Sequence, residues 1–319
     1  TKEDLALLRL QALTRSPVGR QAVVEFIAAP AEDRPNEDET LAKEPPGTLT
    51  ATMTARSDNF ADIALFDLAP IPTMEELLKN VEWRIMDGNI GYLRIYHVIH
   101  FDDYAQYPTE VTEIVAQALE AFNAAGVNSL ILDLRGNRGG SDQAAADISG
   151  HFAKESSIYE RTAWYNASSG RFDYAHSDLF GQTFELGDEP LWVEPRQPHF
   201  WGNIAVLVNP ATISSGEGLA MAIGRQPNAT VMGFYGTHGS FGLVFWPIAM
   251  PEGISFQFPI GRSLDAHGVI QIDSDASGMG GVQPEIRIPR TWQNIAAYAS
   301  GKDVELEFAR DWLLNQDPR

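Results

Sequence analysis

Apolar residues along this chain fall into short blocks with two different periodicities. Two β-branched apolar runs, at 130–134 and 204–208, are typical of strands that are buried on both faces. Between residues 108 and 125, apolar side chains recur at helical spacing, which predicts an amphipathic helix that Gly126 ends. Because strands and helices alternate along much of the chain, the pattern predicts an α/β core.

Further segments fit the same two patterns. A Gly88-Asn89 turn between two short apolar runs predicts a β-hairpin. Residues 155–200 are rich in aromatic residues and proline and have weak periodicity, so we interpret them as an inserted subdomain or lid; ordinary packing of these aromatics is the alternative. The remaining predicted strands are 21–27, 49–55, 63–66, 81–86, 91–96 and 230–233, and the remaining predicted helices are 4–14, 74–78, 142–152, 218–224 and 304–313.

Composition excludes several classes of function. Asp and Glu number 43 against 23 Lys and Arg, which gives a formal net charge of −20. Nucleic acid and anionic membranes would be repelled by this charge, so we expect neither as a partner. The chain has no cysteine, which excludes disulfides, thiol catalysis and zinc–thiolate sites. No apolar run is long enough to span a membrane.

Ser214 lies at a predicted strand-to-helix junction, after the strand 204–208 and before a helical segment. A serine at such a junction projects its hydroxyl beyond the sheet edge, and the first N–H groups of the following helix have no intrahelical partners. Free N–H groups of this kind stabilise the oxyanion of a tetrahedral acyl intermediate. The alternative interpretation is that Thr212, Ser214 and Ser215 only cap the helix.

A second turn, rich in glycine, follows the strand 130–134. Its adjacent residues Gly139 and Gly140 allow the backbone to approach a ligand closely and to direct an N–H group at it. The turn lacks the glycine spacing of a dinucleotide site and the Gly-Lys-Ser/Thr of a phosphate loop. A tight turn without chemistry is the alternative.

Five motifs occur in an order that resembles a known protease family. Over about residues 81–315, the series is similar to the C-terminal processing (tail-specific) serine proteases and their tricorn-type relatives. The Asp-Leu-Arg-x-Asn-x-Gly-Gly motif is specific by itself, and five motifs in the right order are more so. In chain order they are Gly91-Tyr92-Leu93-Arg94-Ile95, Leu132-Asp133-Leu134-Arg135-x-Asn137-x-Gly139-Gly140, Ser214-Ser215-Gly216-Glu217, Gly233…Thr237-x-Gly239 and Gly281-Val282-x-Pro284-Glu285-Ile286.

The resemblance implies an α/β fold with a crotonase-like spiral core of strands and helices, often preceded by a PDZ domain. Residues 15–66 are similar to the last strands of such a domain. We therefore predict a partial PDZ-like or linker β segment at 1–80 and a serine peptidase core at 81–319, with 155–200 as the insertion.

The resemblance also implies specific site residues. Ser214 matches the nucleophile of the family. The oxyanion hole of such proteins is made by a backbone N–H after the serine, here that of Ser215, and by one from the double glycine, here Gly139 or Gly140. This agrees with the interpretation of both turns from their residues alone.

The general base is the part of the pattern that this sequence does not match. The lysine of one branch of the family is replaced here by Ser240, so a Ser–Lys dyad is not expected. In the tricorn-type branch the base is a histidine upstream of the core, and a late acidic residue supports it. Asp273 and Asp275 are the candidates for that acid, with a solvated turn as the alternative for both.

Residues 1–80 contain no histidine. His238 is the first candidate for the base, because the family has its glycine-rich loop at the site, and His97 and His100 are the next. A second hypothesis, which we prefer at this point, is that the chain derives from a longer precursor and that an upstream fragment supplies the base as a partner. A third is that catalysis has been lost and the binding groove kept.

These observations together predict a serine peptidase that cleaves a peptide or protein substrate through an acyl-enzyme at Ser214. No metal and no organic cofactor is called for. The resemblance implies an extracytoplasmic location, periplasmic or secreted. The alternative is a catalytically inactive scaffold that binds a peptide or another ligand. A crotonase-like acyl-transfer enzyme is a weaker option, since no basic cluster for the phosphates of coenzyme A is evident.

Overall fold

The computed structural model describes residues 19–27, 48–54, 80–98, 111–166, 169–173, 176–177, 183–184, 189–244, 248–249, 255–256, 258–273 and 281–316. Two candidate site residues, His100 and Asp275, lie outside these ranges. Most of the predicted PDZ-like segment 15–66 also lies outside them.

A six-stranded sheet forms the centre of the molecule, in the order β17-β12-β11-β5-β4-β3. All neighbouring strands are parallel except β3, which forms an antiparallel hairpin with β4. The predicted Gly88-Asn89 turn is confirmed, and both of its residues adopt positive φ. The strands are β3 (Val81–Met86), β4 (Ile90–Ile95), β5 (Ser129–Asp133), β11 (Asn203–Leu207), β12 (Ala229–Gly233) and β17 (Ile286–Arg287).

Helices cover both faces of this sheet. One face packs against α1 (Val111–Ala124), α2 (Asp142–Gly150) and α3 (Ser215–Gly224), and the other packs against α5 (Val304–Leu314). In β5, for example, Leu130 and Leu132 face the first set of helices, and Ile131 faces α5. This two-sided burial explains why the central strands are apolar throughout rather than alternating.

A second sheet, in the order β10-β6-β16-β13 with β7 paired to β6, lies outside the central one. Strand β6 belongs to the aromatic segment 155–200, yet over four residue pairs it is joined to β16, which lies about 100 residues later in the chain. The interpretation of 155–200 as a lid or inserted subdomain stays a prediction. The strands are β6 (Ser157–Asn166), β7 (Arg171–Asp173), β10 (Leu191–Val193), β13 (Gly242–Val244) and β16 (Pro259–Leu264).

The remaining elements are short pairs and one helix. The first pair is antiparallel over seven residue pairs, and its assignment to a PDZ-like domain stays a prediction. Helix α4 (Trp292–Ala299) was not predicted, although Thr291 caps it by accepting a hydrogen bond from the Asn294 N–H. The pairs are β1 (Gln21–Ile27) with β2 (Thr48–Thr54), β8 (His176–Ser177) with β9 (Thr183–Phe184), and β14 (Ile248–Ala249) with β15 (Ser255–Phe256). The predicted α/β class is confirmed.

Candidate active site

The two predicted turns meet at the carboxyl edge of the central sheet, because β5 and β11 are adjacent and parallel. A Cβ atom built on Gly139 would lie 2.7 Å from the Ser214 Cβ and 3.0 Å from the Ser215 nitrogen. Gly139 also has φ +78°, a conformation that favours glycine. The absence of a side chain at this position is therefore what allows the two turns to touch.

Ser214 holds an unusual backbone conformation, with φ 54° and ψ −132°. Positive φ is uncommon for residues other than glycine, and it persists only where the surroundings enforce it. Here the Ser214 N–H donates to the Glu217 carboxylate at 3.1 Å, and the Ser214 carbonyl accepts from the Glu217 N–H at 2.8 Å. The side chain of Ser214 is half-buried at the start of α3.

The backbone donors of the two turns are not equivalent. The Gly139 N–H donates to the Asn137 side-chain oxygen at 2.8 Å, so it is already engaged. The Gly140 carbonyl accepts from the Ser215 hydroxyl at 3.1 Å, so the carbonyl oxygen of Gly140 faces the start of α3. Within the described ranges, no hydrogen bond engages the N–H of Gly140 or that of Ser215. Of the predicted glycine pair, only Gly140 thus has an N–H that none of the described residues engages.

Asn137 connects both turns to strand β4. Its side-chain NH₂ donates to the Ile95 carbonyl at 2.8 Å, and its backbone carbonyl accepts from the Ile213 N–H at 2.9 Å. The side chain is fully buried. It also fills the space above Gly216, where an added Cβ would come within 2.5 Å of the Asn137 Oδ1.

The charged side chains of the Asp-Leu-Arg motif anchor α5, while the Leu134 carbonyl accepts from the Thr212 hydroxyl of the Ser214 turn at 2.8 Å. The buried Arg135 guanidinium contacts Asp133 at 2.7 Å, Asp303 at 2.7 Å and Glu305 at 3.1 Å. Burial alone would raise the pKa of Asp133, but the Arg135 charge and hydrogen bonds hold it at about 2. Burial raises the pKa of Glu305 to about 7, although Arg135 and the Phe234 N–H oppose that rise.

The glycine-rich loop 233–240 is linked to Ser214 through Glu217. The carboxylate of this buried residue accepts hydrogen bonds from the Thr237 hydroxyl and from the N–H groups of Gly239 and Ser240. The loop is also held by the His238 N–H, which donates to the Thr212 carbonyl at 3.1 Å. Glu217 was not predicted as a site residue, although the Ser-x-x-Glu spacing of a capping box is a signal that indicates it.

His97 lies beside the glycine turn. Val98 and Gly140 form a parallel bridge, and the Val98 N–H donates to the Gly139 carbonyl at 3.0 Å. His97 directly precedes this bridge, and the neighbouring Tyr96 carbonyl accepts from the Arg138 N–H at 3.2 Å. Burial lowers the pKa of His97, and the neighbouring Arg138 charge lowers it further, so the neutral imidazole is favoured.

Asp273, a candidate for the supporting acid, is exposed and lies beside the loop. Its backbone forms an antiparallel bridge with Ser240, and its carbonyl accepts from the Gly281 N–H at 3.3 Å.

A pair of buried acidic side chains lies near the N-terminus of α3. Burial raises the pKa of Asp142, and burial together with Asp142 raises the pKa of Glu160 to about 8. The two carboxyl groups therefore share a proton near neutral pH. Among the described residues, no cluster of three or more His, Asp or Glu side chains could hold a metal ion. In the same ranges, no helix has the length and apolar character that a membrane span requires.

A family model for peptidase family S41 matches residues 89–288, more than half of the chain. The chain belongs to this family. The match includes both turns, the glycine-rich loop and the Gly281-Val282 segment. No curated protein sequence is significantly similar to this chain.

Solved structures with TM-scores above 0.5 share the fold of this chain. A candidate peptidase from Parabacteroides merdae is 23% identical with a TM-score of 0.53, over 75% of this chain and 66% of that one. Mature CPAF is 15% identical with a TM-score of 0.54, over 86% and 66%. The photosystem II D1 C-terminal processing protease is 17% identical with a TM-score of 0.44, over 85% and 56%. The chain thus spans about two thirds or less of the length of these structures.

Proposed function

We propose that this S41 protein is a serine peptidase whose nucleophile is Ser214. The Ser214 Oγ attacks the carbonyl carbon of a peptide bond while a histidine takes its proton. The same histidine then gives the proton to the leaving amine, which leaves an acyl-enzyme. Water hydrolyses the acyl-enzyme by the reverse sequence of proton transfers and frees Ser214.

The contact between Gly139 and Ser214 carries this proposal. It packs the glycine turn against the start of α3, and the N–H groups of Ser215 and Gly140 are not engaged by the described residues. Two such donors stabilise the oxyanion of the tetrahedral intermediate, and the loss of one donor typically costs about 100- to 1,000-fold in rate. A serine that served only as a helix cap would not need them.

Family membership supports a peptide or protein as the substrate. An extended peptide that adds as a strand beside the sheet would gain main-chain hydrogen bonds, a common mode of peptide recognition. The aromatic segment 155–200 is the candidate surface for specificity. An extracytoplasmic location belongs to the same proposal and rests on resemblance alone.

Several histidines remain candidates for the base. His238 has its backbone fixed to the Ser214 turn, and His97 directly precedes Val98, which bridges to Gly140. His100 is a third candidate, and a histidine from a separate upstream segment is a fourth. Asp273 and Asp275 are the candidates for the supporting acid.

Covalent labelling with a fluorophosphonate serine probe, located by peptide mass spectrometry, tests the nucleophile. We expect modification at Ser214 in the wild type and none in Ser214→Ala. Ser141→Ala is the matched control, because Ser141 caps α2 by accepting from the Ala144 N–H at 3.2 Å at the end of the neighbouring turn. It should lose about 1 kcal/mol of stability but keep the labelling.

If Ser214 were only a cap, the two variants would behave alike and the wild type would not be labelled, which favours the inactive scaffold. Once labelling is established, His97→Gln and His238→Gln locate the base. If neither variant lowers the labelling rate, the base is His100 or lies outside this chain, and His100→Gln separates these two cases.

A further inference from the structure

Glu217 is fully buried, and its carboxylate lies between the Ser214 backbone and the loop 237–240. One oxygen, Oε1, accepts from the Thr237 hydroxyl and the Gly239 N–H, both at 2.6 Å. The other, Oε2, accepts from the Ser240 N–H at 2.8 Å and the Ser214 N–H at 3.1 Å. The Ser240 hydroxyl adds a longer contact to Oε2 at 3.4 Å.

The network extends beyond the loop through Thr237. Its hydroxyl accepts from the Val282 N–H at 2.7 Å while it donates to Glu217, and the Thr237 N–H donates to the Val282 carbonyl at 3.1 Å. Gly281 has no room for a side chain, since an added Cβ would lie 2.7 Å from the Thr237 carbonyl oxygen. The last three sequence motifs therefore converge on this one carboxylate.

No salt bridge reaches Glu217 from the described residues, so backbone and hydroxyl donors alone compensate its burial. Hydrogen bonds to a charged acceptor are roughly twice as strong as those between neutral groups. They act on Ser214, whose φ of 54° needs such an external constraint. The same oxygen that holds the Ser214 N–H also holds the Ser240 N–H, so the nucleophile and the loop share one anchor.

We infer that Glu217 is a positioning residue for Ser214, which holds the serine in its reactive backbone conformation and fixes the loop 237–240 to it. This inference rests on the proposed function of Ser214. In this inference Glu217 affects the reaction by holding Ser214 and does not contact the substrate.

Glu217→Gln tests the inference with almost no change of shape. Gln has one oxygen and one NH₂, and each carboxylate oxygen of Glu217 accepts from at least one backbone N–H. Either orientation of the amide therefore sets an NH₂ against an N–H group, which cannot bond to it. A buried donor left without a partner is costly, so the loop and the Ser214 turn should separate.

Glu305→Gln is the matched control. Glu305 is also a buried glutamate, and it holds the start of the same segment by accepting from the Phe234 N–H at 2.9 Å. It has no contact with the Ser214 turn among its hydrogen bonds. Thr237→Val and Thr237→Ser form a second pair, since Val removes the hydroxyl of the relay and Ser restores it.

Two measurements separate this inference from the proposed function. The first is the rate of fluorophosphonate labelling of Ser214 at a temperature where every variant is folded. We expect at least a tenfold fall for Glu217→Gln, a smaller fall for Thr237→Val, and rates within twofold of wild type for Thr237→Ser and Glu305→Gln. The second is amide hydrogen exchange, in which Glu217→Gln should expose the N–H groups of Gly239 and Ser240 while the central strands stay protected.

A labelling rate within twofold of wild type for Glu217→Gln would overturn the positioning role, as would unchanged exchange at 239–240. If the wild type is not labelled at all, the proposed function fails instead. Hydrogen exchange then still decides whether Glu217 holds the loop to the Ser214 turn.

Discussion

Two neighbouring turns leave the central sheet at the same edge, 134–141 after β5 and 208–214 after β11, and different chemistry holds each in place. The first depends on what is missing, because Gly139 has no side chain at the point of contact with Ser214. The second depends on what is present, because the Glu217 carboxylate accepts from the strained Ser214 backbone and from the loop 237–240.

This difference indicates that each turn has a separate part in the proposed reaction. The glycine turn supplies a backbone donor and is fixed by neutral hydrogen bonds of Asn137, while the ion network of Arg135 fastens the strand end behind it to α5. The serine turn holds the proposed nucleophile and is fixed by the buried Glu217 carboxylate. Changes to the first turn should therefore act through geometry, and changes to the second should act through charge and hydrogen bonding.

The largest effect is expected from Gly139→Ala. Its Cβ would lie 2.7 Å from the Ser214 Cβ, so the turns must move apart and the contact between the glycine turn and Ser214 must be lost. Because misplacement by about 1 Å can cost about 100-fold, we expect at least that loss in the rate of Ser214 labelling. Labelling kinetics measured beside a thermal melt will distinguish this loss from unfolding.

Gly136→Ala is the control for backbone strain. Gly136 belongs to the same turn and has a similar φ of +73°, but an added Cβ would meet nothing within 4 Å. It should lose about 1 kcal/mol of stability and keep most of its labelling rate. Equal losses of labelling in both variants would show that strain, and not contact with Ser214, explains the glycine.

A smaller effect is expected from Asn137→Ala. The substitution frees the Gly139 N–H, removes the bond to the Ile95 carbonyl and opens a cavity above Gly216. We expect a fall of about tenfold in labelling and a loss of about 2 to 3 kcal/mol in stability, since lost buried hydrogen bonds cost about 1 to 3 kcal/mol. Chemical denaturation and labelling kinetics measure the two effects separately.

Asn228→Ala provides the comparison. Asn228 donates one hydrogen bond to the Gly202 carbonyl at 2.7 Å, away from both turns. It should lower stability without lowering the labelling rate of folded protein. If Asn137→Ala behaved in the same way, Asn137 would be structural only.

Much of this arrangement follows from sequence patterns. The buried strands and the helices around them have strong periodicity, and the motifs point to Ser214 and the glycine pair. Glu217 was missed because its five donors come from residues 3 to 23 positions away along the chain. The pairing of β6 with β16 was missed because weak periodicity around 155–200 gives no register, and pairing between distant strands has no local signal.

Local sequence patterns also did not predict which residues the motif residues contact. Arg135 belongs to the most specific motif, yet its partners Asp303 and Glu305 come from a helix near the end of the chain. No spacing rule links residues 168 or 170 positions apart. For the same reason, the sequence cannot distinguish Gly139 from Gly140 as the oxyanion donor, because the distinction depends on where the Asn137 side chain lies.

The smallest effect on Ser214 labelling is expected from Glu305→Gln, which should change only how stability depends on pH. Burial raises the pKa of Glu305 from 4.5 to about 7, so the folded state binds more protons than the unfolded state between these values. This group's contribution to the free energy of unfolding is therefore largest below pH 4.5 and falls as the pH rises towards 7. At about 1.4 kcal/mol per pH unit, the fall amounts to roughly 3 kcal/mol.

Glu305→Gln should thus become more stable relative to wild type between pH 5 and pH 8, as melting temperatures at the two pH values will measure. A constant difference would mean that Glu305 has an ordinary pKa, and a parallel change in Ser214 labelling would mean that the Arg135 network reaches the nucleophile after all.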